Sequence, residues 1–122
     1  MRPWVALAGL NGLIAVGLGA YAAHGLASDP VLQGWAERAS HYQLIHALAL
    51  LAADRLAADG RRLAHGAAAL FAAGILLFSG SLYLRALTGS ALPVPMVTPA
   101  GGIAFMAGWL VLTLAGARRR RP

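Results

Sequence analysis

The sequence predicts an all-α fold: a four-helix bundle embedded in a membrane, with both termini on the cytoplasmic side and a short interfacial helix before the second span. Three observations predict it. Of 122 residues, 59% are hydrophobic and only 11% charged, apolar stretches recur four times, and the arginines are segregated along the chain. A soluble domain keeps about a quarter of its residues charged, so this composition belongs to a chain whose solvent is lipid.

The first apolar stretch runs over about residues 4–26, the third over about 64–85 and the fourth over about 99–117. Each is near the ~20 residues that cross a hydrocarbon core. The second, over about 40–57, is weaker, because its uninterrupted apolar part, Leu44 to Ala53, is short enough for a re-entrant or interfacial segment. Charge decides in favour of crossing. With four spans, Arg2, Arg55, Arg61, Arg62, Arg118, Arg119, Arg120 and Arg121 share one face, and only Arg38 and Arg85 lie on the other. Arginine accumulates on the cytoplasmic side, so the chain reads as a multi-pass protein of a bacterial inner membrane with both ends inside. A rival reading of the first stretch is a secretory signal, with Ala20-Tyr21-Ala22 as its cleavage site, but the apolar run is longer than such signals use and rich in glycine.

Between the first two spans, Asp29 caps a helix that Pro30 opens, and Val31, Leu32, Trp35 and Ala39 fall near one face. This predicts an interfacial helix with Trp35 at headgroup depth, leading directly into the second span. Asp54 to Arg62 forms a tight inner turn on Asp59-Gly60. Thr88 to Pro99 carries three prolines and predicts an extended cover, with Thr98 capping and Pro99 opening the last span. No domain boundary or repeat is visible, so residues 1–122 form one membrane domain.

Small residues predict how the helices touch. Ala8, Gly12, Ala15 and Gly19 line one face of the first span; Gly66, Ala73 and Gly80 recur every seven residues in the third; Gly101, Ala104 and Gly108 share a face of the fourth. Such stripes let backbones approach where lipid gives no hydrophobic drive for association.

Polar residues near the spans form the candidate site. His24 ends the first span, Tyr42, Gln43 and His46 open the second, Ser79, Ser81 and Tyr83 end the third, and Thr98 precedes the fourth. All are expected toward the outer leaflet. Polar groups at membrane depth are paired, buried or facing water, which marks them as functional candidates. For His46 two readings stand: a hydrogen bond to Ser79 or Tyr83 that fixes helix register, or a ligand or proton-handling role. His24 and His41 also suit a wet interface. Catalytic signatures are absent: there is no H-E-x-x-H, G-x-S-x-G or phosphate-cradling loop, and no carboxylate pair inside the spans. The chain has no cysteine and no standard histidine spacing for a metal, so no metal site or cofactor is predicted. The basic excess sits in turns and at the ends, with no stripe interleaved with aromatics, which argues against nucleic acid. The expected partners are the lipid bilayer and a membrane protein or a second copy of the chain.

Four blocks resemble one family. They are Gly19-Ala20-Tyr21-Ala22-Ala23-His24-Gly25-Leu26; Tyr42-Gln43 with His46-Ala47-Leu48-Ala49-Leu50; Phe78-Ser79-Gly80-Ser81-Leu82-Tyr83; and Thr98-Pro99-Ala100-Gly101-Gly102 with Gly108-Trp109. In this order, over nearly the whole chain, they resemble the YgdD/YwdK-like family of small inner-membrane proteins. The resemblance implies four spans and no assigned activity. Ala22 departs from the glycine more usual there, which bears on how closely the first span meets a neighbour. The residues together lead to a non-enzymatic membrane protein whose outer polar cluster binds a partner helix or a lipid or quinone headgroup, or assists assembly of a membrane complex. A histidine-dependent metal or haem protein and a purely structural bundle are the alternatives.

Overall fold

The computed structural model describes residues 2–90 and 96–117, and every regular element among them is helical. Helix α1 spans Pro3–Gly25, α2 Pro30–Ala58, α3 Leu63–Thr88 and α4 Val97–Ala117. The helices pack in chain order, α1 chiefly on α2, α2 on α3 and α3 on α4, while α2 meets α4 only narrowly. Helices α1, α3 and α4 are long and apolar enough to cross a membrane. Helix α2, at 29 residues, has the length but a more polar composition. Its polar residues divide by position: Glu37, Arg38, His41 and Arg55, toward its two ends, are exposed, whereas Ser40, Gln43 and His46 are buried against neighbouring helices.

Local chemistry sets the ends. Asp29 Oδ1 accepts from the backbone N–H groups of Val31 and Leu32, and Pro30 occupies the first turn of a single unbroken helix that covers both the segment expected to be interfacial and the expected second span. Trp35 lies on this segment, with the Arg85 guanidinium 4.3 Å from its ring centre. Gly60, at φ +88, makes the turn into α3, and Gly89, at φ +73, ends that helix, both in the left-handed region that glycine enters without a Cβ penalty. Helix α4 begins at Val97, so Thr98 is not its cap, contrary to the sequence expectation. The Thr98 hydroxyl is 2.5 Å from that of Ser81, and Pro99 sits in the first turn, where its missing N–H costs no helical bond. Residues 91–95 of the expected extended cover, and Arg118, Arg119, Arg120 and Arg121, lie outside the described residues.

The core is alanine filled out by a few large side chains. Phe71 and Leu50 are fully buried among Ala8, Ala49, Ala53, Ala67 and Ala68, with Ile75 and Phe105 completing the cluster. On α1, Ala8, Ala15 and Gly19 meet α2, joined by the fully buried Ala22, whereas a Cβ on Gly12 would touch nothing within 4 Å. The alanine that departs from the family's glycine at position 22 therefore fits in the interface. On α4, Gly101 and Gly108 are buried, with Ala104 half-buried: a Cβ at Gly101 would lie 2.3 Å from the Phe78 backbone nitrogen.

The stripe expected on α3 is corrected. Gly66 and Ala73 are exposed, and Gly80 has no close neighbour outside its own helix. The packed face uses Ala64, Ala67, Ala68, Phe71, Gly74 and Ile75, then Ser79, Leu82 and Ala86. Two physical reasons account for the difference. In a helix this rich in alanine and glycine several stripes have suitable spacing, and a π-helical turn at Ile75–Ser79 takes Gly80 off the face that Gly66 and Ala73 share.

Candidate functional site

The polar side chains separate into two linked groups on either side of α2. Toward α1 and α3, the Tyr83 hydroxyl donates to Gln43 Oε1 at 2.7 Å, Gln43 Nε2 donates to Asn11 Oδ1 at 3.0 Å, and Asn11 Nδ2 donates to the Leu7 carbonyl at 2.9 Å. One chain of hydrogen bonds thus crosses three helices. Gln43 is only 4% exposed, so each of these bonds replaces one that water cannot supply.

Toward α3 and α4, His46 sits inside an aromatic box. Its ring stacks on Phe105 at a centroid distance of 3.6 Å, with Phe71 and Trp109 at 5.6 and 5.7 Å and Tyr42 parallel at 6.1 Å. Trp109 Nε1 donates to His46 Nε2 at 3.0 Å, while His46 Nδ1 is 2.6 Å from the Tyr42 carbonyl oxygen. An indole N–H only donates, so Nε2 accepts and Nδ1 carries the proton that the carbonyl receives. Both ring nitrogens of the neutral imidazole are engaged by partners within the chain.

The remaining predicted residues lock the other contacts. The Ser79 hydroxyl donates to the Ala39 carbonyl at 2.9 Å, joining α3 to α2, and the Ser81 hydroxyl, donating to the Phe78 carbonyl, also meets Thr98 on α4. Ser40 donates to the Ala15 carbonyl at 2.7 Å beside Gly19, where a Cβ would lie 2.7 Å from its oxygen. Among the described residues no buried side-chain nitrogen or oxygen lacks a partner, and no three histidines or carboxylates converge on a metal-sized site. His24 is corrected: it is exposed at the end of α1 and does not join the cluster. His41 is likewise exposed, and Tyr42 keeps 41% exposure while its ring stacks inward against Phe78 and Phe105.

At 1.5 Å per residue, His46 lies ~12 Å along α2 from Asp54, and Asn11 ~13 Å along α1 from Arg2. Asp54 and Arg2 form an ion pair that marks one end of the helices.

The family model described as a protein of unknown function (DUF423) matches residues 18–102. The chain belongs to this family. Among DUF423-like relatives, a UPF0382 membrane protein of Staphylococcus aureus is 41% identical over 94% of this chain and 95% of its own length. The UPF0382 membrane protein YwdK of Bacillus subtilis is 38% identical over 97% and 98%, and the UPF0382 inner membrane protein YgdD of Escherichia coli 38% over 93% and 88%. No solved structure matches. The family is one of membrane proteins without an enzyme name among these relatives.

The DUF423 match ends before Trp109 and begins after Asn11, so one partner of His46 and one of Gln43 lie beyond it, while Tyr42 and Tyr83 lie within it. Asn11, Ser40 and Trp109 are the site residues that sequence reasoning passed over. A signal for Asn11 was present, since it is an amide in an otherwise apolar span. Trp109 carried no such signal, because tryptophan near a membrane reads as an interfacial anchor until its partner is known.

Proposed function

We propose that this chain is a non-enzymatic, multi-pass membrane protein that assists assembly of a larger membrane complex, with its polar network holding the helices in register and its outer surface meeting a partner helix. All four helices cross, and both termini face the cytoplasm, in keeping with the arginine distribution. The observation that carries this reading is the saturation of the buried network: every buried polar side-chain atom among the described residues has a partner within the chain. A headgroup or quinone bound at the cluster would have to displace these bonds. Recognition is better served by the free side of α1, where Leu10, Leu13 and Val16 are exposed and Gly9 and Gly17 have open space around them. Small residues beside exposed leucine and valine suit close approach by a second apolar helix. No cofactor enters this reading.

The test is a photo-crosslinking residue at Leu13, which is 72% exposed, compared with one at Leu76 on α3, which is 74% exposed. A discrete product with a second membrane-protein chain is expected from position 13, retained in a folded His46→Ala protein and absent from position 76. Equal products at both positions, or none, would overturn the proposal.

A further inference from the structure

At the end of the helices marked by Arg2 and Asp54, away from the polar network, a groove of about 720 Å3 opens between α1, α2 and α3. Its lining includes Arg2, Trp4 and Leu7 from α1, Asp54 and Ala58 from α2, and His65 from α3. The polar groups are arranged by pairing. Trp4 Nε1 donates to His65 Nδ1 at 3.0 Å, so in the neutral ring the proton is on Nε2, which remains a donor. Arg2 ion-pairs with Asp54 through one terminal nitrogen; its side chain is 56% exposed, against 10% for that of Asp54. The carboxylate is the sheltered partner of the pair, and the guanidinium side chain is the exposed one. Leu7, Ala58 and the Trp4 ring supply apolar wall.

We infer that this groove binds one anionic phospholipid, with its phosphate at Arg2 and the His65 Nε2–H, and its glycerol and first acyl carbons along Leu7 and Ala58. Charge complementarity selects this occupant. The same end of the described helices carries Arg2, Arg55, Arg61 and Arg62 against Asp54 and Asp59, and both α1 and α3 begin there, with their positive ends toward the rim. An exposed guanidinium, with five N–H donors of which one carboxylate cannot take all, matches a phosphate diester, and basic recesses between membrane helices are suited to anionic headgroups. The mostly apolar lining separates a lipid from a free phosphate ion, which would leave Leu7 and Ala58 uncovered. A zwitterionic headgroup offers the same phosphate but brings an ammonium into this positive field.

The experiment is native mass spectrometry of the full chain, released from nanodiscs holding equal amounts of dioleoylphosphatidylglycerol and dioleoylphosphatidylethanolamine. Wild type is compared with Arg2→Gln, Ala58→Leu and Arg62→Gln, the last removing an equal charge at the same end but outside the groove lining. One retained phosphatidylglycerol per chain is expected for wild type and Arg62→Gln, with at least a fivefold fall for Arg2→Gln and for Ala58→Leu, which fills the groove without changing charge. If Arg2→Gln fails to fold through loss of the Asp54 pair, Ala58→Leu decides, with circular dichroism verifying its helices. Equal retention of both lipids, a fall in Arg62→Gln matching that in the groove variants, or unchanged retention in Ala58→Leu would each overturn the inference.

Discussion

Trp109 donates its indole N–H to Nε2 of His46, and this one bond at 3.0 Å assigns the tautomer of the only buried histidine among the described residues. The ring is held as the Nδ1–H form, donating that proton to the Tyr42 carbonyl. Nitrogen-15 NMR of histidine-labelled protein in detergent should show this tautomer for His46 at neutral pH. A signal from the Nε2–H form or from an imidazolium would sink the assignment.

Replacing Trp109 with phenylalanine keeps a ring against Phe71 but leaves His46 Nε2 without a donor. The expected loss is ~1 kcal/mol, the scale of a hydrogen bond between membrane helices. Reversible unfolding in a mild detergent mixture measures it, and a variant as stable as wild type would show that the bond contributes nothing net.

Gln43 links Tyr83 on α3 to Asn11 on α1, so its neighbours should not behave independently. A cycle of Asn11→Leu, Gln43→Leu and the double variant should return a coupling of ~0.6–1.7 kcal/mol, because the second substitution removes a partner the first has already stranded. Additive effects would argue that the two side chains do not meet.

The glycines divide by what a methyl group would strike. Gly101→Ala and Gly108→Ala put a Cβ 2.3 Å from the Phe78 backbone nitrogen and 2.7 Å from the Phe71 ring, whereas Gly9→Ala and Gly12→Ala meet nothing within 4 Å. The first pair should destabilise by ~1–3 kcal/mol, as overpacking does. The second pair should leave the unfolding midpoint in place or raise it slightly, since alanine is the better helix former. The reverse order would mean that the helices pack on other faces.

Because the chain contains no cysteine, its topology is open to single-cysteine labelling. With four crossings and both ends inside, Ser28→Cys should react with an impermeant maleimide added outside intact cells, and Pro122→Cys only after the membrane is opened. Labelling of both from outside would contradict the orientation.

Taken by itself, the sequence determined that the chain is helical and apolar, where its turns fall, and which polar residues in α2 and α3 deserved a partner. These are local properties: Asp29-Pro30 starts a helix through its own backbone contacts, and Gly60 turns the chain because it alone lacks a Cβ there. Tertiary structure decided the rest. Contact with α4 sets which of several small-residue stripes on α3 is packed, so Gly74 meets Phe105 while Gly66 and Ala73 stay exposed, and the π turn takes Gly80 out of register with them. It also decided the partners: Asn11 is 32 positions from Gln43 and Trp109 is 63 from His46, and no local pattern encodes a hydrogen bond between side chains so far apart in the chain. A buried polar group states that a partner must exist, because lipid supplies none. Which residue meets that demand depends on the rotation and depth of each helix against its neighbours, and these are fixed only when the four pack together.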